Sequence, residues 1–293
     1  MPAKVKWPIV AEMQEAAVQH ADSKPARHYL GMSEIGSKCP RRLWLKFRGY
    51  TPDYYLEGQV AMIFSLGNLV EDEVLKWLQY AGYKITDTQK VFTDINGLFQ
   101  GHCDGVIEGV GEDPYILEIK SANKQRFQAF QEKGVQAICR EYYAQVQCYM
   151  GYSGLNNAQF VIMCKDSCDI YAEVVSYNGA HFEAIKKCAR YIIGSPFAPL
   201  PLPKNSYECT YCRFAPLCRS STRPTTTQDL DNPTEATQYH HVQMNKTCGT
   251  CVFLTPSEDG VMLCNKYNKP LKKWGGWCDQ YTYVDYDADK LPF

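Results

Sequence analysis

Between Gly101 and Ser121 the chain reads GHCDGVIEGVGEDPYILEIKS, which sets Asp104, Glu118 and Lys120 among apolar residues. Side chains alternate across a strand, so Ile116, Glu118 and Lys120 share one face while Leu117 and Ile119 point to the other. Asp104 stands one strand earlier, within reach across a hairpin. Glu71 lies upstream on a helical stretch, one turn after Gly67, whose missing side chain would let the helix pack close on the sheet. Three carboxylates converging on one spot repel one another and are costly to bury. A divalent cation with hard oxygen ligands removes that repulsion. It can polarise a phosphate and lower the pKa of a bound water, while a neighbouring lysine orients the water or offsets charge on phosphorus. An acid-x-Lys triplet alone arises by chance, and ion pairs on a solvated strand are the plain alternative. The apolar strand, the earlier Asp and the helical Glu together favour phosphodiester hydrolysis.

The cysteines suggest a second kind of chemistry. There are fourteen in 293 residues, unevenly placed. A reducing compartment disfavours disulfides, so clustered cysteines read as metal or cluster ligands. Cys209-x2-Cys212-x5-Cys218 supplies three thiolates from one loop, and Cys39 is the natural fourth. The spacing fits a tetrahedral metal and leaves zinc and iron–sulfur both open. Cys248, Cys251, Cys264 and Cys278 form a later set that fits a closed structural zinc site. His240 and His241 just before it could substitute for a ligand or stand as solvated linker histidines, and a second iron–sulfur cluster is the alternative to zinc. Cys103, Cys139, Cys148, Cys164, Cys168 and Cys188 read as small buried residues.

These groups need elements to position them. Leu66, Leu69, Val70, Val74, Trp77 and Leu78 recur at helical spacing before Gly82. Strand-like runs follow, bounded by Asn96-Gly97 and by Gly111-Glu-Asp-Pro114. A helical region covers about 125–152, then a hairpin turning near 166–168, then the helix HFEAIKKCARYII. Ser33 is a plausible cap for a helix carrying Arg41, Arg42, Lys46 and Arg48. The order is that of an α/β fold with a mixed sheet flanked by helices, not a doubly wound one. Residues 1–27 read as a lead-in, 28–220 as the main domain, 221–239 as a Thr- and Pro-rich linker and 240–293 as a small metal-stapled module.

Bulk properties narrow the classes. A net charge of −1 leaves nucleic-acid binding to local basic patches. No run of about 18 apolar residues predicts a membrane span, and the N-terminus lacks a signal-peptide core, so the expectation is a cytoplasmic protein. No GxxxxGK[ST] phosphate loop or G-x-S-x-G elbow occurs. In the last module Trp274, Trp277 and Lys266, Lys269, Lys272 and Lys273 could grip a single strand, or form a small core with a solvated rim.

Gly67-x-x-x-Glu71, Gly101-His-x-Asp104, Glu118-x-Lys120 and Gln145-x-x-x-Tyr149 together resemble the ordered motifs of RecB-like PD-(D/E)XK nucleases. The resemblance covers about 28–220. It implies a restriction-endonuclease-like core in which Glu71, Asp104, Glu118 and the Ile119 carbonyl bind Mg2+ or Mn2+. Lys120 would assist catalysis, and Gln145 and Tyr149 would position the lysine or the DNA. Many relatives carry His where Glu71 stands; glutamate is an adequate oxygen ligand there. The lone Cys39 before the core and the trio after it resemble the 4Fe–4S staple of RecB-like exonucleases, CRISPR-associated ones included. LGMSEIGSKCPRRLWLKFRG looks like the start of bacteriophage-encoded members, which would place the protein in a bacterial host cytoplasm.

The implied function is a metal-dependent DNA exonuclease acting on single strands or duplex ends in recombination, replication or repair. The resemblance leaves room for a recombinase, helicase or single-strand-binding partner and for a homo-oligomer. Two alternatives stand beside it: a nuclease trimming spacer precursors in CRISPR adaptation, and a non-catalytic nucleic-acid-binding protein.

Overall fold

The structure is a computed structural model that describes residues 8–23, 27–50, 57–195, 198–219, 254–256, 262–264 and 269–270. Helix α1 (Pro8–Asp22) is followed by a short strand β1 (Leu30–Gly31) and by helices α2 (Pro40–Phe47) and α3 (Gly58–Tyr80). Then come β2 (Lys84–Thr86), β3 (Val91–Asp94), β4 (Phe99–His102), β5 (Gly105–Glu108) and β6 (Tyr115–Ala122). Helices α4 (Lys124–Ile138) and α5 (Arg140–Ser153) lead to β7 (Asn157–Cys164), β8 (Ile170–Ser176) and α6 (Gly179–Gly194). Short helices α7 (Tyr207–Thr210) and α8 (Ala215–Arg219) carry Cys209 and Cys218, with Cys212 between them.

The main sheet runs β2-β5-β6-β7-β8. Within this sheet β6 and β7 are the parallel pair, and a parallel pair needs a long crossover, which α4 and α5 supply. A smaller sheet, β1-β4-β3, lies beside it. This is the expected mixed α/β architecture with helices flanking sheets. Alternation on β6 divides the core. Ile116 enters the large cluster with Phe130, Tyr149 and Ile192, while Leu117 and Ile119 enter a smaller one with Val70 and Val74 of α3.

Several expectations need correction. The run LFQGHCDGVIEG is not one strand: β4 ends at His102 in the small sheet and β5 begins at Gly105 in the large one. Cys103 and Asp104 form the step between sheets. On α3 the buried stripe is narrow, since Leu66, Leu69 and Trp77 are exposed beside buried Val70 and Val74. The helical region after Lys124 is two helices broken at Cys139, with a further non-helical Gly134 at φ 72°. Ser33 caps no helix: it sits in the turn after β1, and α2 starts at Pro40 with Cys39 in the cap position. Proline lacks an N–H and has a pre-set φ, which suits a first helical position. Cys168 is exposed at a positive-φ turn, unlike the other five scattered cysteines, which are buried.

Helix α2 is clasped to the far end of the domain. Trp44 Nε1 donates to the Ser195 carbonyl at 2.8 Å, and Arg48 Nη2 donates to the carbonyls of Ile193 and Ser195 at 2.9 and 2.7 Å. Arg41 Nη1 reaches Pro199 O at 2.9 Å. Carbonyls at the end of a helix have no partner within it, so these donors serve as a tertiary cap for α6.

Strands β9 (Leu254–Pro256), β10 (Met262–Cys264) and β11 (Lys269–Pro270) form a small antiparallel sheet. Cys264 ends β10. Cys248, Cys251, Cys278, His240, His241, Trp274, Trp277, Lys266, Lys272, Lys273 and the linker 221–239 lie outside the described residues. Among the described residues no helix is long and apolar enough to cross a membrane.

Candidate active site

The site forms where the two sheets meet under α3. Strand β6 carries Glu118 and Lys120 on one face, as alternation requires. Asp104, at the step between β4 and β5, accepts a hydrogen bond from the Ile119 N–H at 2.6 Å. That bond fixes the carboxylate against the strand. Glu71 comes from α3 and accepts from Gln89 Nε2 at 2.8 Å. Helix α5 places Gln145 and Tyr149 one turn apart, with Gln145 Nε2 3.0 Å from the Tyr149 hydroxyl.

Glycine makes one of these approaches feasible. A Cβ on Gly101 would lie 2.7 Å from both Met32 Cβ and Tyr149 Cε1. The Tyr149 ring also stacks on Phe92 at 5.4 Å, so the bare backbone of β4 sets where the tyrosine lies. Gly67 does not act as expected. A Cβ there would meet only Ser121 Oγ at 3.9 Å, an ordinary contact.

Glu118 is fully buried; one oxygen pairs with Lys120 Nζ and the other, Oε2, has no hydrogen-bond partner. Gln145 Oε1 is likewise buried without a partner. Burial raises the Glu118 pKa to about 8, with the Asp104 charge adding and Lys120 opposing. Burial also raises Glu71 to about 7, again helped by Asp104. Asp104 is pushed up by burial against the pull of Lys120 and the Ile119 N–H. Burial pushes Lys120 down, but Glu118 and Asp104 outweigh it, and its pKa stands above the ordinary lysine value. Like charges in a dry place are what such shifts record. A hard cation would relieve them, and the donor set fits one: carboxylate oxygens, one of them orphaned.

A cleft of about 260 Å3 opens on the site, walled by Glu71, Asp104, Gln145 and Tyr149 together with Arg27, Tyr29, Ser33, Gln89, Gln100 and His102. Glu118 and Lys120 are not part of that wall. Among the described residues no group of three or more His, Cys, Asp or Glu stands in ion-holding geometry. The predicted site residues are thus gathered in one place but not drawn tightly together. Sequence reading missed the roles of Arg27, Tyr29 and Gln89, which carry no periodic signal, and assigned Ser33 elsewhere. It also passed over Tyr142, three residues before Gln145, whose ring centroid lies 5.5 Å from Lys120 Nζ.

The first cysteine set also converges. Cys39, Cys209, Cys212 and Cys218 line one cavity of about 160 Å3 with Leu45, Leu202 and Phe214. Burial raises the Cys39 thiol pKa, and Cys212 and Cys218 add to the rise. Thiols are the donors that zinc and iron–sulfur clusters take, but these four share the cavity without standing in ion-holding geometry.

Comparison with known proteins bears on this site. Residues 38–156 match the family described as the YqaJ-like viral recombinase domain. No curated protein matches the chain. Among solved structures, SSO0001 is 17% identical, with 74% of this chain and 98% of that one covered at a TM-score of 0.46. An alkaline exonuclease (LHK-Exo) from Laribacter hongkongensis is 15% identical, with 61% and 90% covered at 0.43. A phage related exonuclease from Haemophilus somnus 129PT is 15% identical, with 43% and 66% covered at 0.33. These structural likenesses are too loose to bear on chemistry. The family match is different, because it spans Glu71, Asp104, Glu118, Lys120, Gln145 and Tyr149. Over residues 38–156 the chain matches the model of the YqaJ-like viral recombinase domain, a PD-(D/E)XK nuclease family.

Proposed function

We propose that the protein is a metal-dependent DNA exonuclease that processes single strands or duplex ends in recombination, replication or repair. One observation carries it: a fully buried Glu118 with an orphan oxygen, paired with Lys120 and next to Asp104 and Glu71, which line a polar cleft. Glu71, Asp104, Glu118 and the Ile119 carbonyl would hold Mg2+ or Mn2+. Bound there, the ion supplies positive charge against a phosphate and a water of lowered pKa. Lys120, held by Glu118, keeps its proton and offsets charge that develops on a phosphate oxygen. The Ile119 N–H keeps Asp104 turned toward the strand. Gln145 and Tyr149 set the wall against which the nucleotide lies.

Cys39, Cys209, Cys212 and Cys218 would hold a 4Fe–4S cluster in a structural role, on the strength of their shared cavity. The domain would run over 28–220 and the C-terminal module over 240–293, with Zn2+ held by Cys248, Cys251, Cys264 and Cys278. Iron, sulfide and zinc analysis of anaerobically purified protein decides between the metals.

The test of the function is cleavage of DNA labelled separately at either end, with Mg2+ or Mn2+, by wild type and by Lys120→Ala. Wild type should release label in an order that gives its polarity, EDTA should stop it, and the variant should be slower by about 100-fold or more. If both proteins bind DNA and leave it intact, the catalytic assignment falls.

A further inference from the structure

We propose that Tyr142 is a positioning residue for Lys120: its ring face fixes where the ammonium lies beside Glu118. The proposal rests on the assignment of Lys120 to the nuclease site. Tyr142 precedes Gln145 by three residues and Tyr149 by seven, so one face of α5 supplies all three. Lys120 Nζ lies 5.5 Å from the Tyr142 ring centroid, within the range of a cation–π contact. The same ring carries a second cation, with Arg126 Cζ at 5.3 Å.

The ring itself is held from several sides. Phe130 stacks nearly parallel to it at 6.2 Å and 14°, and Phe160 lies at 5.9 Å. Arg126 is pinned in turn, since its Nη2 reaches Cys139 Sγ at 3.0 Å and its backbone N–H donates to Asn123 Oδ1 at 2.9 Å. A rigid aromatic face therefore stands beside a flexible lysine.

Lys120 Nζ also donates to the Ile119 carbonyl at 3.3 Å, a long bond to its own neighbour on β6, and Glu118 with that carbonyl does not fix the ammonium. An ammonium is a compact charge on a four-carbon stem, and it can swing around a carboxylate oxygen at nearly constant energy. A second attractive surface removes that freedom. In a site shielded from water the ring's negative face is worth more than at an exposed surface. Reaction geometry is sensitive to displacements of about 1 Å, so a wandering lysine lowers turnover without weakening DNA binding. The ring makes these contacts, so the hydroxyl is dispensable.

The experiment compares wild type, Tyr142→Phe and Tyr142→Leu in steady-state cleavage, with a second measurement that needs no activity. Tyr142→Leu should lower kcat about tenfold with KM unchanged, and Tyr142→Phe should stay within about twofold of wild type. In NMR spectra of lysine-labelled protein, the Lys120 side-chain signal should lose its ring-current displacement in Tyr142→Leu and keep it in Tyr142→Phe. An unchanged kcat in Tyr142→Leu, a loss confined to KM, or an equal loss in Tyr142→Phe would each overturn the proposal. Should Tyr142→Leu fail to fold, Tyr142→Met fills a similar volume without an aromatic face and serves in its place. If wild type does not cleave at all, the proposed function falls, and the NMR displacement alone still decides whether the ring holds the lysine.

Discussion

At the scale of single residues, the site is governed by the cost of charge without water. Glu71 and Glu118 are raised to about 7 and about 8, far above their ordinary value. A carboxyl group with a raised folded pKa binds more protons when folded than when unfolded. Its contribution to stability is therefore complete below the unfolded pKa and is lost as pH rises through the folded one. In EDTA, these two groups should make the melting temperature fall between about pH 4.5 and pH 8. A divalent cation should reverse that trend, binding more tightly as pH rises and releasing protons as it does so. Melting curves at pH 5, 6, 7 and 8, with and without Mg2+, check this. A flat profile in EDTA would mean the carboxylates are better solvated than their burial implies. Glu118 and Lys120 could be read from the sequence because strand alternation alone puts them on one face. Tyr142 could not, because its contact with Lys120 runs between different elements, from a strand to a helix beyond the next one.

At the scale of elements, two glycines separate what packing demands from what it tolerates. Gly101 on β4 faces Met32 and Tyr149 with no room for a methyl group. Gly101→Ala should destabilise by about 1–3 kcal/mol and displace Tyr149 from Gln145. Gly67 on α3 has room, with Ser121 Oγ its nearest neighbour at 3.9 Å. Gly67→Ala should therefore hold or raise stability, by up to about 1 kcal/mol, through helix propensity. Urea unfolding of both variants tests the pair. The periodicity of α3 is legible in its sequence, but its exposed Leu66, Leu69 and Trp77 show that periodicity overstates burial. Val70 and Val74 meet the sheet chiefly at β6, its central strand, and the rest of the apolar stripe is left uncovered. The step at Cys103 and Asp104 was hidden for a related reason, since alternation continues through a change of sheet.

At the scale of the whole molecule, helix α2 is tied to the segment that follows α6. Arg41, Trp44 and Arg48 bind carbonyls between Ile193 and Pro199, and the four cysteines share a cavity close by. Hydrogen bonds from charged donors contribute about 1.5–3 kcal/mol each, so the clasp is substantial without any metal. Replacing Cys209, Cys212 and Cys218 with Ser should therefore leave far-UV circular dichroism nearly unchanged. Hydrogen exchange should speed up over 198–219 while α2 stays protected. Loss of protection in α2 as well would show that the thiol site, not the clasp, ties the two together. Spacing alone marks out the cysteine trio; the clasp is invisible in it, because Arg41, Trp44 and Arg48 look like an ordinary basic helix.

The sequence by itself determined the chemistry available: hard oxygens and a lysine at strand spacing, a Gln/Tyr pair at helix spacing, and thiols at metal spacing. It also determined the mixed α/β order of elements, because hydrophobic periodicity is a local property. Tertiary structure alone decided how these parts meet. It put Asp104 on a step between sheets, turned Glu118 wholly out of water, set Tyr142 against Lys120 and locked α2 onto the end of α6. Each of these depends on contacts between residues distant in the chain, where burial and electrostatics act through space and local pattern carries no trace of them.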